Sequence, residues 1–208
     1  MDSEERKGED FDNLQQLYER LVEVTQNEIE LSDLLPYRFD VVEYILEQIT
    51  HMRGVIDKFK NNWTSFGIEH HQLELERFNY LINTYLRTRL RKIEDNAPYL
   101  INLLRRDIDR AIKFLSPYEA KYLDRYTTNI DKHMEKVMIG LPDTVRRFSL
   151  ADIPLKTKTR YGFVIGLEDS VIEDSDVEIQ LEPNVCRILT VSTIIESLEK
   201  GSRQFKLI

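Results

Sequence analysis

Between Leu75 and Ile93 the apolar residues Leu75, Phe78, Leu81, Ile82, Tyr85, Leu86, Leu90 and Ile93 recur three and four residues apart. A strand would alternate every second residue; this spacing winds onto one face of an α-helix. Neither proline nor glycine interrupts the run between Gly67 and Pro98. The spacing predicts a helix from near Glu69 to about Asp95, about 40 Å long at roughly 1.5 Å per residue. A stripe of that length has to be laid against other helices, so the first part of the chain is read as a helical bundle.

The flanking sequence supplies the partners. Leu14, Leu17, Leu21, Val22 and Val24 predict a first helix from Phe11 to about Glu30, with Pro36 beyond it. Asp40 is placed as an N-cap with Glu43 three residues on. The stripe Val41, Val42, Ile45, Leu46, Ile49, Met52, Val55, Ile56 and Phe59 then predicts a second helix, closed by Asn61, Asn62 and Gly67. Pro98 suits the first turn of a fourth helix through Leu100, Leu103, Leu104, Ile108 and Ile112. Ser116-Pro117-Tyr118-Glu119 reads as a capping box with proline at the first helical position, starting a last helix through Tyr122, Ile130 and Met134 that stops at Gly140.

After Leu141 the texture changes. Pro142 and Pro154 punctuate a stretch without sustained period, and short β-branched and aromatic runs follow. Tyr161–Leu167, Val177–Leu181, Val185–Val191 and Arg203–Ile208 are predicted strands. Asp169–Asp176 reads as an acidic turn, Glu182-Pro183-Asn184 as a tight one, and Thr193–Leu198 as a short helix closed by Gly201. The fold expected is mainly α: a disordered acidic start over 1–10, a helical domain over 11–141, a linker over 142–158 and a small β-rich domain over 159–208. So few strand residues make a marginal core, so the region is expected to dock on something else.

Charge and composition narrow the chemistry. Residues 1–33 hold 11 acidic and 3 basic side chains, which accounts for the whole net charge of −8. The remaining residues balance, but 77–113 hold 9 basic against 4 acidic. The acidic, polar start lacks the apolar core of a secretory signal. The single cysteine, Cys186, has no internal disulfide partner and is expected to be a small buried hydrophobe in VCRILTV. None of the seven glycines lies in a phosphate-cradling loop. His70, His71 and Glu74 stand in HHQLE, which is not the HExxH of a zinc protease. Glu74 and Glu76, two apart, do not face each other on a helix. Neither cofactor nor metal is expected, nor a catalytic residue.

The cluster Arg87, Arg89, Arg91 and Lys92 admits three readings: a protein interface, a solvated face, or a phosphate-binding surface. Arg87 and Arg91 share a helix face that Arg89 does not. The protein-interface candidates are Arg77, Tyr80, Tyr85, Leu86, Arg87 and Arg89 on the long helix, with Phe163, Ile179, Leu181, Phe205 and Leu207 on the strands.

The segment ELERFNYLINTYLRTRLRKIE, Glu74–Glu94, resembles the signature helix of GINS complex subunits of the Sld-five type. YLRTRLRKIE, Tyr85–Glu94, is the most specific part. The resemblance continues in VVEYILEQITHM, LSPYEAKYLDRYTTNIDKHM, IQLEP and the closing LEKGSRQFKLI. It implies a non-catalytic subunit of a tetramer with three sister GINS subunits, acting in the nucleus with the MCM hexamer and a further helicase scaffold protein in DNA replication. It leaves DNA contact open and implies no membrane partner. DFDNL, Asp10–Leu14, is similar to a short peptide by which some members hook a replisome hub protein; an ordinary first helix accounts for the same residues.

Overall fold

The computed structural model describes residues 14–59, 65–142, 149–152, 160–174, 177–200 and 204–208. The expectations for 1–10, most of DFDNL, most of the linker and Gly201 fall outside them. The chain divides into two compact units: Met1–Ile29 with Arg38–Arg87, and Glu30–Tyr37 with Thr88–Ile208. The mainly helical first part and the strand-rich end are both present.

In the first unit, α1 (Leu14–Glu30) buries Leu17, Leu21 and Val24. Helix α2 (Phe39–Phe59) buries Val41, Val42, Ile45, Ile49 and Ile56, and the first part of α3 (Ser65–Asp95) buries Phe78, Ile82 and Tyr85. The Tyr18 and Phe78 rings meet edge to face, 5.6 Å between centroids. Three expectations are corrected. Leu46 is exposed, because the buried stripe of α2 is narrower than its apolar sequence. Gly67 does not close α2 but lies in the first turn of α3. Asp40 is not the cap but sits in the first turn, where the Val42 N–H already reaches the Arg38 carbonyl at 3.1 Å. Its carboxylate instead takes two bonds from Arg38, at 2.8 and 3.2 Å.

The second unit has two cores. One gathers Ile93 of α3, Ala97, Leu100 and Ile101 of α4 (Ala97–Arg106) and Leu123 of α6 (Pro117–Val137), with Leu34 after α1 and Leu115 just before α6. The expected fourth helix is two: α4 ends at Arg106, and α5 (Ile108–Phe114) starts anew. Asp107 breaks it with extended backbone, φ −143° and ψ 86°, and caps α5 by accepting the Arg110 N–H at 3.0 Å. The capping box at Ser116 and Glu119 forms as read. Helix α6 ends at Val137, before Gly140, which takes φ 97° in the turn beyond. The turn Leu150–Asp152 is packed: Asn102 Nδ2 donates to the Ala151 carbonyl at 2.7 Å, and Asp131 accepts the Leu150 N–H at 2.9 Å.

The other core belongs to the strands. β1 (Tyr161–Gly166) lies between β4 (Cys186–Thr190) and β5 (Phe205–Leu207), antiparallel to both. β2 (Ser170–Asp174) and β3 (Val177–Leu181) pair as a hairpin, so most of the expected acidic turn is a strand. Val171 and Ile172 supply its β-propensity, and the flanking acids masked it. Asp174 then accepts the Thr190 N–H at 2.9 Å and the Thr190 and Thr193 hydroxyls at 2.7 and 2.8 Å, at the start of α7 (Val191–Glu199). Gly166 has the Glu182 carbonyl where a Cβ would stand, so only glycine lets the two backbones approach.

This second core contains Leu31 and Leu35, which precede it by more than a hundred residues of chain. Leu34, between them, goes to the helical core. The Leu31 methyl packs over Gly162, 3.0 Å from the position of a Cβ. The small sheet therefore completes its core with residues from the segment after α1.

Leu31→Ala is expected to cost about 2–4 kcal/mol in urea unfolding; an unchanged midpoint would remove Leu31 from the core. The second expectation concerns Asp40. Burial raises its pKa, but the Arg38 hydrogen bond and charge, the Val41 N–H and the Arg20 charge outweigh it, holding the group below its usual 3.8. A depressed carboxylate stabilises the fold above its unfolded pKa and loses that contribution as pH falls through the folded value. Asp40→Asn should lower stability at pH 7 by up to about 1 kcal/mol, the gap closing as pH falls through the depressed folded pKa. A gap independent of pH would contradict this.

Candidate subunit interface

On α3 the residues Tyr85, Arg89 and Ile93 stand four apart, on the buried stripe. At 0% exposure Arg89 is as covered as its apolar neighbours. Such a guanidinium has to satisfy its N–H groups inside the protein. Nε and Nη2 donate to the two Glu119 oxygens at 2.8 and 3.2 Å. Nη1 donates to the Leu35 carbonyl at 2.7 Å and Nη2 to the Phe114 carbonyl at 2.6 Å. The Tyr37 ring lies over it, 5.1 Å from Cζ. Glu119 is also held by the backbone N–H of Ser116 at 2.9 Å, so capping box and ion pair share one carboxylate.

The same segment is fastened at three further points. Lys92 Nζ donates to the Asp33 carbonyl at 2.9 Å, Arg160 pairs with the Asp33 carboxylate, and the Tyr37 N–H reaches the Lys113 carbonyl at 3.1 Å. One turn further along α3, Glu94 accepts the Tyr122 hydroxyl. That hydrogen bond, then burial and the Glu94 charge, push the Tyr122 pKa up to about 12.

The candidates separate by where these elements put them. Arg89 and Tyr85 on α3, and Leu181, Phe205 and Leu207 on the strands, belong to the chain's own interior and have no surface for a partner. Arg89 is interior because position 89 continues the Ile82–Tyr85 stripe. Leu86 and Ile179 are half-buried. Arg77, Tyr80 and Arg87 are exposed, Tyr80 at 70%.

Phe163 opens a wider surface. It pairs across the sheet with Ile188, and both are 54% exposed. Directly paired residues share a face, so Phe163, Ile188 and the pair Ile165 and Cys186 form one outward side of β1 and β4, with Tyr161 exposed beside them. Cys186 is therefore exposed, not buried, because the strand's alternation turns positions 186 and 188 outwards while Leu189 packs inwards. Such an apolar sheet face is uncommon on a solitary domain.

Among the described residues no group of three or more His, Cys, Asp or Glu can hold a metal ion. No described helix is long and apolar enough to cross a membrane. An open trough of about 560 Å³ is lined by Leu46, Glu47, Thr50, His51, Gly54, Val55 and Lys58, all on α2. It converges no titratable groups from different elements.

Comparison with known proteins agrees with this architecture. The family model described as the GINS complex protein helical bundle domain (Sld5) matches residues 17–138. The chain is 27% identical to the human protein named DNA replication complex GINS protein SLD5, over 91% of this chain and 88% of that one. It is 26% identical to the protein of the same name in Debaryomyces hansenii, covering 91% and 86%. It is 30% identical to that of Schizosaccharomyces pombe, covering 56% and 53%.

Removing one partner of a buried ion pair strands the other. Arg89→Met is expected to cost about 3–5 kcal/mol in chemical unfolding. Arg89→Lys should not restore it, since an ammonium cannot reproduce the fork. Arg87→Met, two residues away and exposed, should change stability by less than about 0.5 kcal/mol. Equal effects at 87 and 89 would refute the assignment.

Proposed function

Because the chain belongs to the Sld5 family of GINS complex proteins, we propose that it is a non-catalytic scaffold subunit of a DNA-replication complex. It assembles with three sister GINS subunits, and the tetramer helps to assemble and activate the MCM-based replicative helicase, together with a further helicase scaffold protein, in the nucleus. The observation that carries the reading is the uncovered apolar side of β1 and β4, centred on Phe163 and Ile188. A subunit buries such a face in a partner. The exposed side of α3, with Arg77, Tyr80 and Arg87, suits the same use, since aromatic and arginine side chains are enriched at interfaces. DFDNL, Asp10–Leu14, in the acidic N-terminus is the candidate for a hub-protein contact.

The test is co-expression with the three sister subunits followed by size-exclusion chromatography. A single peak containing all four chains is expected. Phe163→Asp with Ile188→Asp should deplete the tetramer while leaving the chain's own melting nearly unchanged, because both side chains are already exposed. A monodisperse chain that ignores its sisters would overturn the proposal.

A further inference from the structure

The break at Asp107 has a second effect. In one continuous helix Ile108 and Ile112 would extend the stripe of Leu100 and Leu104. In the structure they stand one turn apart on α5, 60% and 45% exposed. Arg105, Arg106 and Lys113 are exposed in the same stretch, while Arg110, also exposed, lies two residues from each isoleucine and faces away from them. Among the described residues none of these four cations has a carboxylate at ion-pair distance. The Asp107 carboxylate is engaged in capping α5, and Asp109 is the one other acid in the stretch 105–113.

Cations at the ends of α4 and α5 are favourable there in any case. That accounts for Arg105, Arg106 and Lys113, but not for two isoleucines left in water between them. We propose that this α4–α5 corner is a docking surface for an acidic amphipathic segment of a partner protein. Carboxylates of the segment meet Arg105, Arg106 and Lys113, and its apolar side covers Ile108 and Ile112. Charge complementarity sets the sign of the occupant. The isoleucines favour a protein over a nucleic acid, because a phosphate backbone offers nothing apolar to cover them and Asp109 repels it. The surface is separate from the sheet face assigned to subunit assembly, so the two readings stand or fall independently.

The probe is a synthetic helical peptide with one glutamate-rich and one leucine face, followed by fluorescence anisotropy against the full chain in its co-purified complex. Two comparison ligands are a peptide with the leucines replaced by serine and a short DNA duplex. The glutamate–leucine peptide should bind best. Arg105→Glu with Arg106→Glu should weaken it roughly tenfold or more, and Ile108→Ser with Ile112→Ser about tenfold with the charges intact. Co-purification with the sister subunits should survive both pairs. If the first pair fails to fold, Arg106→Ala with Lys113→Ala takes its place. Absence of binding, equal binding of the serine peptide, tighter binding of the duplex, or loss of subunit assembly in the variants would each overturn the proposal.

Discussion

A guanidinium shut away from water has to find acceptors inside the protein, and Arg89 finds them on three separate stretches of chain. Glu119 starts α6, Phe114 ends α5, and Leu35 lies in the segment that leaves α1. The contact is more than a charge neutralised. Leu35 points its side chain into the strand core while its carbonyl is gripped by Arg89, and Leu34 packs in the helical core. Arg89 thus fixes the register of a segment that both cores of the second unit need. Buried ion pairs are weak sources of net stability but strong penalties when half-broken. The role that fits is specification: one arrangement of 31–37 brings the Leu35 carbonyl to Nη1, and shifted ones leave that donor without it.

Much of the fold was legible because it is locally encoded. The stripes of α2 and α3 and the Ser116–Glu119 box follow from spacing and cap chemistry, which need no tertiary partner. The break at Asp107 was also readable in principle: Arg105 and Arg106 are the cations that end a helix, and Asp107 and Asp109 the acids that begin one. Strand β2 was hidden by its own acids, since Asp174 is buried only because Thr190 and Thr193 reach it from distant sequence. Leu31 and Leu35 could not have been assigned to the sheet at all. Nothing in LSDLLP says which of its leucines faces which core.

The candidate surfaces divide along the same line. Arg77, Tyr80, Arg87 and Phe163 lie outwards as amphipathic spacing allows, whereas Arg89, Tyr85, Leu181, Phe205 and Leu207 turned out to serve the interior. Residue type alone does not separate an interface arginine from a core one; register does. Cys186 makes the same point from the opposite side, an apolar context on an outward strand position. The uncovered side of β1 and β4 is a face that a lone domain would be expected to hide.

The claim on which the rest turns is that Arg89 holds the 31–37 segment for two cores at once. Native-state hydrogen exchange of Arg89→Met against the unaltered chain tests it most directly. The account predicts that protection falls together in β1, in β4 and at the start of α6. Loss confined to the turns of α3 around position 89, with the strands as protected as before, would contradict it.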